Sequence, residues 1–224
     1  MLFNICVTAP KRPIIKFTID GQEYQYDGNN LTIEGKLKMV NDGEKGWKMW
    51  IYDSLSFVFN FINTTVDFCA VGHGGNGGRG YFGEDEYGGN GGRGGEVKNL
   101  LSQKLLVGDT ISTIVGDDTS VSKNGAVILS PANAAGAAGG SGTSVTWGQE
   151  AHITWGTNGS NGSLAFNDET FDGIRYAPGG GGGGCPWTGW DTWEPGETKT
   201  APGRGGQGNS GVGVKGIVLL RYKG

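Results

Sequence analysis

Histidine is nearly missing from this chain of 224 residues: only His73 and His152 are present. Cysteine is scarce too, with Cys6, Cys69 and Cys185 far apart. Three cysteines make no dense disulfide framework, and neither residue type shows the close pairing of a zinc site. Cys69 and His73 are four residues apart, but in extended chain that separation is ~13 Å, too far to share one metal. No metal and no cofactor is therefore expected, and the cysteines read as buried apolar residues. No apolar run approaches the ~20 residues of a membrane span, so no membrane insertion is expected either. The first ten residues hold a short apolar stretch with Lys11 and Arg12 after it, the wrong order for a secretory signal. Cations are few, 18 Lys and Arg against 22 Asp and Glu for a formal charge of −4. That leaves no basic footprint for a nucleic acid. A sustained helical period is also lacking.

What the chain has is glycine. The 46 Gly and 7 Pro make about a quarter of the residues, close to the level at which composition alone suggests disorder. Against disorder stand 7 Trp, 7 Tyr and 9 Phe, since burying such side chains is what offsets the entropy of ordering a chain. Glycine is also unevenly placed: 5 of the 46 precede residue 71 and 41 follow it.

Before that boundary the chain alternates like short strands. Ile14 to Ile19, then Asp20-Gly21, then Gln22 to Tyr26 is a hairpin signal, with Gly supplying the positive φ of a tight turn. Leu31 to Ile33, Lys36 to Val40, Trp47 to Tyr52, Ser56 to Phe61 and Thr65 to Val71 follow, rich in aromatic and β-branched residues. After it the pattern becomes triplets, and Gly74 to Gly80 recurs letter for letter at Gly88 to Gly94. Further tracts occupy residues 134–142, 179–184 and 203–216. A period of three fits the polyproline-II helix, which has no internal hydrogen bonds and must satisfy its backbone laterally. Five tracts can satisfy one another, so they are expected to bundle side by side. Between them Glu96 to Lys98, Thr110 to Gly116, Gly125 to Leu129 and Gly216 to Tyr222 read as strands, the last expected to pair with a strand of the first half. The fold class expected is all-β: a jelly-roll-like β-sandwich with long glycine-rich loops forming a polyglycine-II-type bundle. Residues 1–45 would be an N-terminal β region that could serve attachment, and residues 46–224 the glycine-rich sandwich domain.

No catalytic pattern emerges. Gly203 to Gly208 matches the dinucleotide spacing, but no strand precedes it and no helix follows. The calcium β-roll needs aspartate where Arg79 stands. Arg93 and Arg204 open Arg-Gly-Gly triplets without the clustering of RNA-binding tails. Glu84-Asp85-Glu86 reads as a solvated loop tip before a cation site. Trp187, Trp190 and Trp193 recur every third residue after six glycines, beside Asp191 and Thr192. A three-fold helix would put them on one face, suited to stacking on sugar rings, while the alternative is that they cap the glycine bundle as core.

The order of Trp47 to Tyr52, Ser54 to Phe57, Thr65 to Gly72 running straight into glycine, Ile111 to Gly116 and the closing Gly216 to Tyr222 resembles the glycine-rich carboxy-terminal domain of phage and prophage tail proteins, over about residues 45–224. In that family the glycine run after the Val-Asp strand is nearly pure, whereas His73, Asn76 and Arg79 interrupt it here. In composition the chain also looks like the polyglycine-helix adhesins at the tips of some long tail fibres. The resemblance implies a virion tail protein, a homotrimer held by other tail proteins, made in the host cytoplasm and released by lysis. Its glycine loops would present Trp187, Trp190, Trp193, Tyr81, Phe82 and Tyr87 to a host cell-surface glycan. The alternative is an architectural virion component, a head fibre, decoration or baseplate element, that meets only other virion proteins; an enzyme is not expected.

Overall fold

The computed structural model describes residues 15–19, 21–43, 46–59, 64–77, 92–134, 162–177, 202 and 212–222. The apolar alternation of the first half becomes strands β1 (Ile15–Ile19), β2 (Gln22–Tyr26), β3 (Leu31–Ile33), β4 (Leu37–Asn41), β5 (Trp47–Ile51), β6 (Leu55–Phe59) and β7 (Thr64–Val71). The second half supplies β8 (Val97–Leu105), β9 (Thr110–Ile114), β10 (Ser120–Lys123), β11 (Ala126–Leu129), the two-residue β12 (Ser163–Leu164) and β13 (Arg175–Tyr176), and β14 (Ile217–Tyr222). The protein is all-β. Helical conformation among the described residues is 3-10 only, at Ala165–Asn167 and at Gly43, and no helix among them is long and apolar enough to cross a membrane.

Two six-stranded antiparallel sheets carry the fold, ordered β11-β10-β9-β6-β1-β2 and β3-β4-β5-β14-β7-β8. The expected hairpin at Gly21 (φ 76°) joins β1 to β2, with Ile19 opposite Gln22. A second hairpin, unforeseen in the sequence, turns at Asn124-Gly125, both at positive φ, between β10 and β11. That pair of dihedral signs is the tight turn that suits strand twist. The closing strand β14 pairs with two strands of the first half, β5 and β7, and so sits in the middle of its sheet.

Between the sheets lies one buried cluster to which both contribute: Ile15, Tyr26, Phe57 and Ile111 from the first, Met39, Trp47, Phe68 and Leu220 from the second. The strands on either side of residue 45 share both sheets and this core, so no boundary in the packing falls there. The chain changes sheet repeatedly, after β2, β5, β6, β8 and β11.

The second sheet is covered on its other face as well. Trp50, Cys69, Val71, Ile217 and Leu219 point away from the main core and pack under Phe166, Phe171 and Tyr176 of the segment 162–177. Burial on both faces explains why Phe68 to Val71 of β7 and Ile217 to Leu220 of β14 read as continuous apolar runs rather than alternating ones.

Candidate functional site

Two features stand at opposite ends of β7 and β14. One is the root of the glycine tracts, beyond Val71 and before Ile217; the other is a cleft beside Arg221 and Tyr222.

At the root, residues 72–77 belong to no strand, yet their backbone is bonded in turn to three neighbouring segments. The N–H of Gly72 is donated to the Glu96 carbonyl (2.9 Å), that of His73 to Asn133 Oδ1 (3.0 Å), that of Gly74 to the Val214 carbonyl (3.0 Å) and that of Gly75 to the Arg93 carbonyl (2.9 Å). The first and fourth donors reach the same segment, three residues further along from Gly72 to Gly75 and three residues back from Glu96 to Arg93. That is the period of a three-residue helix with lateral bonds. Side-chain oxygen joins the scheme where Asn76 Oδ1 accepts the Gly213 N–H (3.0 Å). The approach is as close as backbones allow. A β-carbon at Gly92 would overlap the Gly75 carbonyl, one at Gly95 that of Gly72, one at Gly213 that of Gly74, and one at Gly216 that of Val71. Glycine at these positions is a packing requirement. Around the root, His73 Nε2 lies 3.9 Å from Asp117, and Asn133 bonds the Asp117 carbonyl and Asp118.

The cleft, about 450 Å³, opens on the covered face of the second sheet at the far end of its strands. Asp42, Lys48, Asp168, Thr170 and Arg221 supply its polar lining, and Phe171 and Tyr222 its walls. Arg221 and Asp67 are cross-strand partners, so their side chains emerge together on that face. Arg221 Nε donates to Asp67 Oδ2 at 2.8 Å and its Nη1 to Asp168 Oδ2 at 2.6 Å. A register shift in β8 turns Ser102 to φ 56° and aims its N–H at Asp67 Oδ1 (2.7 Å). The Arg221 guanidinium lies over the Phe166 ring at 4.5 Å. Phe166 itself is held at φ 57°, a backbone state that costs a bulky residue energy. Its N–H bond to Asn99 Oδ1 (3.0 Å) and edge contact with Phe171 offset that cost. Asp168 closes a turn by accepting both the N–H and hydroxyl of Thr170. These two bonds, and then Arg221, hold its carboxyl at about 2. Lys48 Nζ is 3.2 Å from Asp42 and donates to the Thr170 carbonyl.

Behind the cleft, Asp172 Oδ2 accepts from Tyr176 OH (2.6 Å) and Trp50 Nε1 (2.9 Å). Burial first, then this carboxylate, pushes the Tyr176 hydroxyl far up. Cys69 is fully buried in the same layer, and that burial raises its thiol to about 12.

The residues that the sequence pointed to, Trp187, Trp190, Trp193, Tyr81, Phe82 and Tyr87, lie outside the described residues, as do Glu84-Asp85-Glu86 and His152. Among the described residues no three of His, Cys, Asp and Glu are grouped to hold a metal ion. The cleft was not legible in the sequence, since its residues run from 42 to 222. One signal was present: Asp67 and Arg221 each interrupt an otherwise apolar strand, and a charge so placed needs a partner. In comparisons with known proteins, the chain matches no family model, no curated protein and no solved structure.

Proposed function

We propose that this chain is a component of a bacteriophage tail or fibre tip that binds a glycan on the host surface and has no catalytic role. The observation that carries the reading is the root of the glycine tracts, where four segments bond laterally with a period of three. Such a root supports a polyglycine-II-type bundle that continues outward from a jelly-roll-like sandwich. A laterally bonded bundle is rigid enough to hold exposed loops in fixed positions, which lowers the entropy lost on binding. Trp187, Trp190, Trp193, Tyr81, Phe82 and Tyr87 are the side chains proposed to stack on the glycan. A homotrimer anchored by other tail proteins would raise a weak single-site affinity through multivalency.

A second reading, an architectural virion element, is favoured by one observation. Leu101, Leu106 and Val107 are about half exposed or more along β8, the edge strand of its sheet, and the turn that follows. Apolar groups so placed suit contact with another protein.

The deciding experiment measures binding of the fluorescently labelled chain to a panel of intact bacteria and isolated wall glycans. Beside it stands a variant with Trp187, Trp190 and Trp193 changed to Ala. Selective binding that the folded variant loses supports host recognition at these residues. No binding by the folded parent to any strain sinks that reading and moves the search to partners within the particle.

A further inference from the structure

We infer that the cleft beside Arg221 is a second ligand site, built for an uncharged, hydroxyl-rich molecule such as a short saccharide. Its charges cancel: Lys48 and Arg221 oppose Asp42 and Asp168 within the lining. An anion entering it would meet two carboxylates, and a cation would meet an ammonium and a guanidinium. Its hydrogen-bonding capacity is nevertheless only partly used. Of the five N–H groups of a guanidinium, Arg221 commits Nε and Nη1, and Nη2 has no partner among the described residues. Lys48 spends its bonds on Asp42 and the Thr170 carbonyl, leaving a third N–H. Asp42 Oδ1 has no partner among the described residues, and Asp168 stays ionised across the ordinary pH range.

Each donor of the lining therefore stands beside an acceptor, Lys48 beside Asp42 and Arg221 beside Asp168, held by mutual ion pairs. A vicinal diol, in which each hydroxyl both donates and accepts, matches such donor–acceptor pairs. The volume of about 450 Å³ lies within the range of small-ligand sites. The groups are also preorganised. The Asp168 turn, the Asp67 pair and the ring of Phe166 fix Arg221 before any ligand arrives, which is the condition for affinity from few contacts.

The site shares no lining residue with the proposed tryptophan site, and either can fail alone. Only the source of the saccharide, a host surface, rests on the function proposed above.

The test is a titration of the ¹⁵N-labelled full chain followed by NMR. The probes are N-acetylglucosamine, rhamnose, methyl α-glucoside and methyl β-galactoside, with inorganic phosphate and putrescine as charged controls. The expected result is a saturable shift of the Arg221 Nε–H and the Thr170, Phe171 and Tyr222 amides by at least one neutral sugar, with Kd on the order of millimolar. Lys48→Met and Asp42→Asn, each altering the rim without touching the Arg221 pairs, should weaken it ~10-fold. The triple Trp→Ala variant should leave it unchanged. The inference is overturned if no neutral sugar gives a saturable shift, or if phosphate or putrescine shifts these signals more than any sugar does. It is equally overturned if both rim variants, with otherwise unchanged spectra, bind sugar like the parent.

Discussion

Gly216 and Gly116 are both glycines next to strands, under opposite constraints. A β-carbon at Gly216 would run into the Val71 carbonyl, whereas one at Gly116 meets nothing within 4 Å. Gly216→Ala should therefore cost about 1–3 kcal/mol or more, the usual penalty of overpacking. Gly116→Ala should stay within about 0.5 kcal/mol of the parent. Denaturant unfolding of the two variants checks the contrast, and equal stabilities would contradict the close packing at the root. Asp168 provides a second test at this scale, through pH. Its carboxyl is lowered from 3.8 to about 2 by the two Thr170 bonds and Arg221, so the ionised form is the one that folding favours. The stabilisation is fully present above the unfolded value and is lost as pH falls from about 4 toward 2. Because the side chain is 29% exposed, solvent screening limits the effect to about 1–2 kcal/mol. Asp168→Asn should be less stable than the parent at pH 7, with most of the gap closing over that acid window; a gap undiminished at pH 2 would show that the ionised carboxylate is not its origin.

Among the elements, the segment 72–77 behaves unlike any strand yet is bonded like one. Backbone hydrogen exchange should separate the two descriptions. The amides of Gly72, Gly74 and Gly75, all donated to neighbouring carbonyls, should be protected nearly as well as those of β7. Exchange at the rate of an open loop would mean that the lateral bonds do not persist in solution. The covering segment 162–177 carries little regular structure of its own, but it buries the outer face of β5, β14 and β7 and completes the cleft. Its placement depends on side chains meeting across the fold: Trp50 with Asp172, Arg221 with Asp168, Asn99 with the Phe166 N–H.

For the whole molecule, the decisive feature is that the closing strand is central. β14 lies between β5 and β7 and contributes to the main core through Val218 and Leu220 and to the covered face through Ile217 and Leu219. A chain ending at residue 216 should therefore fail to fold rather than lose a frayed end. Circular dichroism should show no cooperative thermal transition, while a chain ending at Tyr222 keeps it. A folded, cooperative product from the shorter chain would contradict this topology.

The alternation of Ile15 to Phe59, the Asp20-Gly21 turn and the apolar run at the carboxy end determined by themselves that the chain is all-β and where most strands lie. Period-two burial and positive-φ turns are local properties, written in neighbouring residues. Strand β10 was harder to read, because Ser120 to Lys123 has one buried residue, Val121, and is fixed by its hairpin partner. The bonding partners of residues 72–77 were not legible, since they meet only once β7, β8, β11 and β14 bring their ends together. Tertiary structure alone decided the rest. It set which face of each strand is covered, that Asp67 and Arg221 answer one another across a strand pair, and that residues 42, 48, 168 and 221 meet around one cleft. Such contacts join positions far apart in the chain, and no local pattern encodes a pairing that exists only after two sheets and their covering segment have packed.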